Sequence, residues 1–277
     1  MRLGATSVLF AAGHQERLLD EPGASEADLL VLDLEDTVPN AEKRHAREAV
    51  RRTIGALGAA RRASTFLRPN LGSDGYLREE LELARTLAGI VVPKVSSAVK
   101  VRAAVAALQR ASASDDGPPQ VVIATVETAR GVLHAEEIAA ADPRIVAIIF
   151  GPSDLTLDLG IIGTPTHDEL AYPRAHVSLC AAAAGVVAID GGFGIEDDIE
   201  GLTKDTLAAR HLGYAVKLTT YPGHIPHINR LLRPTEEEIR WASEAIASPG
   251  ADAVRQSKAE LILRRSDATQ NATPPEV

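Results

Sequence analysis

Eight short apolar runs rich in β-branched residues recur along the chain, each followed by a stretch with apolar residues at helical spacing. The first four runs are Ser7–Gly13, Leu29–Asp36, Ser64–Asn70 and Gly89–Val95. They alternate with helical segments through Glu16–Leu19, Ala41–Ile54, Tyr76–Leu87 and Ala98–Ala111. A polar, proline-containing break at Ser112–Gln120 is short enough for a surface loop. Runs at Val121–Glu127, Val146–Gly151, Val186–Asp190 and Ala215–Thr219 follow. Their helical partners are Val132–Ala141, His167–Ala184, Ile199–His211 and Ile225–Ala247. This alternation marks βα units and a parallel sheet, and eight is the number that closes a barrel.

Most of these runs are continuously apolar rather than alternating, so their strands are covered on both faces, as in a parallel sheet flanked by helices. The length of 277 residues suits one (β/α)8 barrel, which needs roughly 250. An open doubly wound sheet is the competing α/β architecture, but no GxGxxG motif follows the first run. The expected organisation is a single-domain TIM barrel over residues 1–248 with a C-terminal helical extension at 249–277. That extension should end in a polar, disordered tail over Ser266–Val277. Aromatics make up only 3% of the chain, which suits a barrel filled by branched aliphatics.

The net charge of −9 disfavours nucleic acid and anionic membrane surfaces as partners. No run approaches the ~18 apolar residues of a membrane span, and no signal-peptide pattern opens the chain. A single cysteine, Cys180 in an alanine-rich helical stretch, excludes an intrachain disulfide and reads as a buried structural thiol. A cytoplasmic protein is expected.

In a (β/α)8 barrel the chemistry sits at the carboxyl ends of the strands. Here those ends carry Asp33-Leu34-Glu35-Asp36, Arg68-Pro69-Asn70, Pro93-Lys94, Glu127-Thr128, Gly151-Pro152-Ser153-Asp154 and Asp190. A carboxylate ending an apolar strand needs a partner or a metal if it is buried. Glu127 and Asp154, on consecutive units, are candidate ligands for Mg²⁺, which takes one or two carboxylates plus waters and substrate oxygens. Mn²⁺ is the alternative ion. Spacing alone leaves a second reading open, with Glu127 ion-paired to a barrel cation and Asp154 capping its turn.

Arg68 can bind a substrate carboxylate bidentately or pair with the strand-2 carboxylates. Glu35 and Asp36 can hold metal-bound waters, orient Arg68 or transfer protons. Lys94 reads as an ion-pair partner for them in preference to a Schiff-base nucleophile. His14, just after the first strand, is expected to face the mouth, and Pro152 and Ser153 to contact substrate. The His224-x-x-His227 pair lacks the glutamate and uninterrupted helix of a zinc motif. No G-x-S-x-G elbow is present.

Six segments in this order resemble the citrate lyase β-subunit-like branch of the HpcH/HpaI aldolase family. They are Ser7–Phe10, Leu32–Val38, Leu67–Asn70, Val92–Val95, Val126–Ala129 and Gly151–Leu155. The resemblance implies a metal-dependent barrel, often trimeric, that cleaves or condenses 3-hydroxyacyl-CoA esters such as citryl-, malyl- or citramalyl-CoA. It places Mg²⁺ on Glu127 and Asp154 and the substrate carboxylate on Arg68. The implied function is a carbon–carbon lyase that releases a 2-oxo acid and an acyl-CoA, in a homo-oligomer, trimer or hexamer.

The chain departs from the family pattern at Gly4-Ala5-Thr6, at Phe10–Gly13, at Thr219–Pro222 and at Gly250–Val254. In several relatives the last of these regions supplies an acid/base aspartate across a subunit interface, and Asp252 is the only nearby candidate here. The departures keep three alternatives in view: an aldolase on a free 2-oxo acid, a malyl-CoA-type thioesterase, and a non-catalytic oxo-acid-binding homologue.

Overall fold

The computed structural model describes residues 3–71, 77–112, 120–248 and 252–270. Eight parallel strands close into a barrel in sequence order. They are β1 (Ser7–Ala12), β2 (Leu29–Asp33), β3 (Thr65–Arg68), β4 (Gly89–Val92), β5 (Val121–Val126), β6 (Ile145–Phe150), β7 (Val187–Asp190) and β8 (Val216–Thr219). Closure is made by β1 against β8, with Ser7 opposite Lys217 and Leu9 opposite Thr219. The expected TIM barrel is therefore the observed fold.

Strand alternation sorts the side chains into two cores. Val8, Phe10, Val31, Phe66, Val91, Ile123, Ile149, Ile189 and Val216 fill the barrel interior. Leu9, Leu30, Leu67, Ile90, Val122, Ile148 and their neighbours pack outward against the helices. Both faces of each strand are dry, which is why the sequence runs were continuously apolar.

The same alternation moves one residue out of the expected mouth. Ile189 points inward, so Asp190 points outward, toward the helices Ala171–Ala184 and Ile199–His211. There it accepts two hydrogen bonds from Arg174, at 2.8 and 2.6 Å, and one from Lys217 Nζ at 2.5 Å. Asp205 completes the cluster, 2.6 Å from Lys217 Nζ and 2.8 Å from Arg174 Nη1. All four groups are buried. Burial alone would raise the Asp190 carboxyl, but the Lys217 and Arg174 charges outweigh it and hold the group below its ordinary range.

Past the barrel, helices Glu236–Ala247 and Ala253–Gln270 pack on one another around Ala242, Ala245 and Ala259. The first begins with a capping box between Thr235 and Glu238, and Glu238 also accepts from Arg210 of the barrel's penultimate helix. The second continues through Ser266 to Gln270, residues whose polar composition predicted a tail, and Ser266 is buried. Asp252, the acid/base candidate of this region, is exposed and accepts from the backbone N–H of Arg255 at the start of that helix. Gly250 and the tail residues 271–277 lie outside the described residues, as does most of the Ser112–Gln120 break. Among the described residues no helix is long and apolar enough to cross a membrane.

Candidate active site

A cavity of about 210 Å³ opens at the carboxyl end of the barrel. Its lining includes Phe10, Arg68, Thr125, Glu127, Gly151, Pro152, Ser153 and Asp154. Five of the predicted site residues thus meet in one place: Arg68, Glu127, Pro152, Ser153 and Asp154. Glu35 and Asp36 stand behind Arg68. His14 does not join them. It lies in a separate cleft with Gln15, Glu16, Arg17 and His45, where its buried Nδ1 has no hydrogen-bond partner among the described residues.

Arg68 is held before any substrate arrives. The register puts Asp33 directly opposite Arg68 across β2 and β3. Asp33 accepts from Arg68 Nε at 2.6 Å and from Nη2 at 2.5 Å, a bidentate pair buried at the top of the barrel. The remaining capacity of Asp33 is taken by the Glu35 backbone N–H at 2.9 Å and the Thr37 hydroxyl. Arg68 Nη1 lies 3.5 Å from Glu35, and the guanidinium stacks 5.1 Å above the Phe10 ring. Burial would lower this guanidinium's pKa, but Asp33 reverses the effect and raises it, so Arg68 is a permanent cation with one nitrogen free of Asp33.

The strand-2 carboxylates are fixed from below and from the side. Lys43 Nζ donates to the backbone carbonyls of Leu34 and Glu35 and to Asn70 Oδ1, each within 2.7–2.8 Å. Asn70 in turn donates to the Leu34 carbonyl at 2.6 Å and to Glu80. Lys94 Nζ lies 3.1 Å from Glu35 and also contacts Asp36, so its ammonium is the predicted ion-pair partner. Burial raises the Glu35 carboxyl despite the nearby Arg68 charge. Burial would raise Asp36 too, but the hydrogen bond from Lys94 outweighs it and holds Asp36 below its ordinary range.

Glu127 is the most perturbed carboxylate of the site. It is 3% exposed, and burial together with the Asp154 charge pushes its carboxyl up to about 8. The Lys94 backbone N–H, 2.5 Å from Glu127 Oε1, and the Arg68 charge only partly offset this. Gly151 makes the close approach possible. A Cβ there would sit 2.5 Å from Glu127 Cβ and 2.7 Å from its Oε2. Asp154 lies in the first turn of the helix Pro152–Asp158, which starts with proline at a position where no N–H is needed.

A buried glutamate whose ionisation is disfavoured by burial and by a neighbouring aspartate charge, inside a small cavity, matches what a hard divalent cation offsets. Among the described residues no group of three or more His, Cys, Asp and Glu side chains is placed to hold a metal. A cation here would take two protein carboxylates and complete its shell with water or substrate oxygens. The donor set therefore fits Mg²⁺ or Mn²⁺ and does not resemble a zinc site. The His224 side chain is engaged elsewhere, between Thr219 Oγ1 and the Glu196 carbonyl.

The residues that sequence reasoning missed are supporting ones. Asp33 was visible at the end of the second run, but its pairing with Arg68 depends on register. Lys43 and Glu80 carried no signal, because each lies in a helix whose facing is unknown without the fold.

Residues 6–222 match the HpcH/HpaI aldolase/citrate lyase family. The chain is 33% identical over 253 residues to a citrate lyase subunit beta-like protein of Deinococcus radiodurans, an alignment covering 90% of this chain and 87% of that one. It is 34% identical over 247 residues to a (3S)-malyl-CoA thioesterase of Cereibacter sphaeroides, covering 87% and 82%. Its structure is similar to CitE of Mycobacterium tuberculosis in complex with magnesium, acetoacetate and coenzyme A. The TM-score is 0.75 at 30% identity, over 95% of this chain and 98% of that one. With that match across the whole barrel, the chain belongs to the HpcH/HpaI aldolase/citrate lyase family.

Proposed function

We propose that this protein is a Mg²⁺-dependent carbon–carbon lyase that acts on a short 3-hydroxyacyl-CoA, of the citryl-, malyl- or citramalyl-CoA type. The products are a 2-oxo acid and an acyl-CoA. The observation that carries the reading is the buried Glu127 and the half-buried Asp154 facing one cavity with Arg68. The bound magnesium, acetoacetate and coenzyme A of the mycobacterial relative support it.

In this reading Glu127 and Asp154 hold the cation, which when bound polarises the oxygens of the developing oxo acid. Arg68 orients the substrate carboxylate through its nitrogen not engaged by Asp33, and so sets the bond to be broken against the thioester. Glu35 and Asp36, tied to Lys94, keep the guanidinium from swinging away. Pro152 and Ser153 form the wall beside the substrate. As the bond breaks, the 3-hydroxyl gives up its proton, its carbon becomes the carbonyl of the oxo acid, and the electron pair passes to the thioester side. That enolate then takes up one proton to give the acyl-CoA. The apolar floor, Phe10 and Ile149, shields the thioester from competing hydrolysis.

A second reading, thioester hydrolysis of a malyl-CoA, is favoured by one observation, the 34% identity to the Cereibacter thioesterase. One assay separates the two. Free CoA and 2-oxo acid are followed with malyl-, citramalyl- and citryl-CoA, in Mg²⁺ and in EDTA. Oxo acid formed only with Mg²⁺ supports the lyase; CoA release without oxo acid replaces it with the thioesterase. No turnover of any ester removes both and leaves an aldolase on a free oxo acid or a binding protein.

A further inference from the structure

Two described non-glycine residues occupy the left-handed region of backbone space, His167 and Lys94. Lys94, at φ 51°, stands inside the candidate site. Lysine has no short polar side chain to bond its own backbone there, as asparagine does, so the surroundings must impose the conformation. Four contacts do so. The Lys94 N–H donates to Glu127 Oε1 at 2.5 Å, and its carbonyl accepts from Lys100 Nζ at 2.6 Å. The next N–H, of Val95, donates to the Thr125 carbonyl at 3.0 Å, two residues before Glu127 on β5. The Val95 carbonyl occupies the space that a Cβ at Gly131 would need, 2.4 Å away.

The dihedral φ fixes the direction of the N–H relative to the Cα–Cβ bond. At the left-handed value the amide faces Glu127 while the side chain carries its ammonium to Glu35, at 3.1 Å, and to Asp36. One residue thereby touches both acidic pairs of the site. A glycine would adopt this backbone more readily, so the ammonium is the reason for a lysine.

We propose that Lys94 is a positioning residue: its left-handed amide sets the Glu127 carboxylate for the cation, and its ammonium holds Glu35 and Asp36 behind Arg68. This inference rests on the reading of Glu127 as a cation ligand. The two halves are separable because they reside in different parts of the residue. Lys94→Gly and Lys94→Asn both remove the ammonium and both accept the left-handed backbone. Lys94→Val removes the same ammonium, but a β-branched side chain resists that backbone. Rotation of the peptide would take the amide from Glu127.

The experiment titrates the purified full-length chain with Mn²⁺ alone, followed by the electron paramagnetic resonance signal of the free ion. Wild type, E127Q and the position-94 series are compared, with thermal melts as a folding control. K94G and K94N should bind Mn²⁺ within about twofold of wild type or more tightly, since a nearby positive charge is gone. K94V should bind at least about tenfold more weakly, the cost of one hydrogen bond to a charged acceptor. If K94V fails to fold, K94A takes its place and should fall below K94G. Turnover by K94G should drop while its Mn²⁺ affinity is kept, and K94R should recover it.

Equal Mn²⁺ affinity of the valine or alanine variant and the glycine variant overturns the role of the amide. Wild-type turnover by K94G overturns the role of the ammonium. Undiminished Mn²⁺ binding by E127Q overturns the ligand assignment itself, and the inference with it. Weak binding by E127Q together with equal position-94 variants refutes the inference alone.

Discussion

Gly151→Ala is the smallest change that tests the carboxylate pair. The added methyl would lie 2.5 Å from Glu127 Cβ and 2.7 Å from Oε2. Carbon atoms in contact rest at about 3.5–4.0 Å, so the two centres must separate by roughly 1 Å. Glu127 has little room to yield, because it is buried and its Oε1 is fixed by the Lys94 amide. A misplacement of about 1 Å in a reacting constellation costs on the order of 100-fold in rate. Overpacking of this kind costs about 1–3 kcal/mol of stability, which a domain of this size survives. The expected result is a folded protein with a melting point lowered by a few degrees, Mn²⁺ affinity reduced about tenfold or more, and turnover reduced about 100-fold. Gly55→Ala is the matched control. Nothing lies within 4 Å of its Cβ position, near the end of the helix Lys43–Ala56, so it should stabilise by about 0.5–1 kcal/mol without touching activity. A G151A protein with wild-type Mn²⁺ affinity and turnover within about threefold of normal would refute the assignment of Glu127 to the chemistry.

Other perturbations probe the remaining parts. Arg68→Lys loses the fork that engages Asp33 and should reduce kcat/KM about 100-fold in steady-state assays, with a smaller loss for Asp33→Asn; retention of activity by R68K would remove Arg68 from substrate binding. With Glu127 as the proposed cation ligand, its carboxyl near 8 would make protons compete with the cation, so Mg²⁺ affinity measured by calorimetry should rise about tenfold between pH 7 and pH 9. The folded-state value lies above the ordinary 4.5, so the native state binds more protons than the unfolded chain between those two values. This group's contribution to stability without cation therefore falls as pH rises through that window, and the melting-point gain on adding Mg²⁺ should be larger at pH 8 than at pH 6. Lys217→Met leaves Asp190 and Asp205 short of a counter-charge and should cost about 3–5 kcal/mol in urea denaturation; a loss under about 1 kcal/mol would mean that the buried cluster relaxes freely.

The barrel was legible in the sequence because its signal is periodic: eight apolar runs, each followed by a helical stretch, leave little choice of architecture. The ends of those runs also pointed to one face, and Arg68, Glu127, Pro152, Ser153 and Asp154 line one cavity there. What failed was finer than one residue or longer than one element. Asp190 looks like Glu127 in sequence, since both end an apolar run, yet one step of the strand's two-residue alternation turns it to the outer face. His14 follows β1 as expected but enters a neighbouring cleft, because the chain turns at Gln15 into a short helix. The grip of Asp33 on Arg68 depends on which residues of β2 and β3 stand opposite, and nothing local encodes that. The left-handed backbone of Lys94 has no compositional mark, since lysine is not a residue that seeks it. Residues 266–270 are mostly polar, yet they continue a helix because its earlier turns are already anchored by packing on the helix Glu236–Ala247.

The charged cluster between β7, β8 and the outer helices bears on how the barrel avoids closing wrongly. Short aliphatic strands such as Val187–Asp190 and Val216–Thr219 offer few features that distinguish one alignment from the next. A slip of either strand by a single residue would exchange its two faces. Lys217 or Asp190 would then be driven among Val8, Phe10 and Ile149 in the barrel interior, with no counter-charge in reach. The misaligned sheet would carry an unpaired buried ion, while the correct one pairs all four groups. The seam where the last strands meet the first is thus proofread by charge, at the point in the chain where shape alone discriminates least.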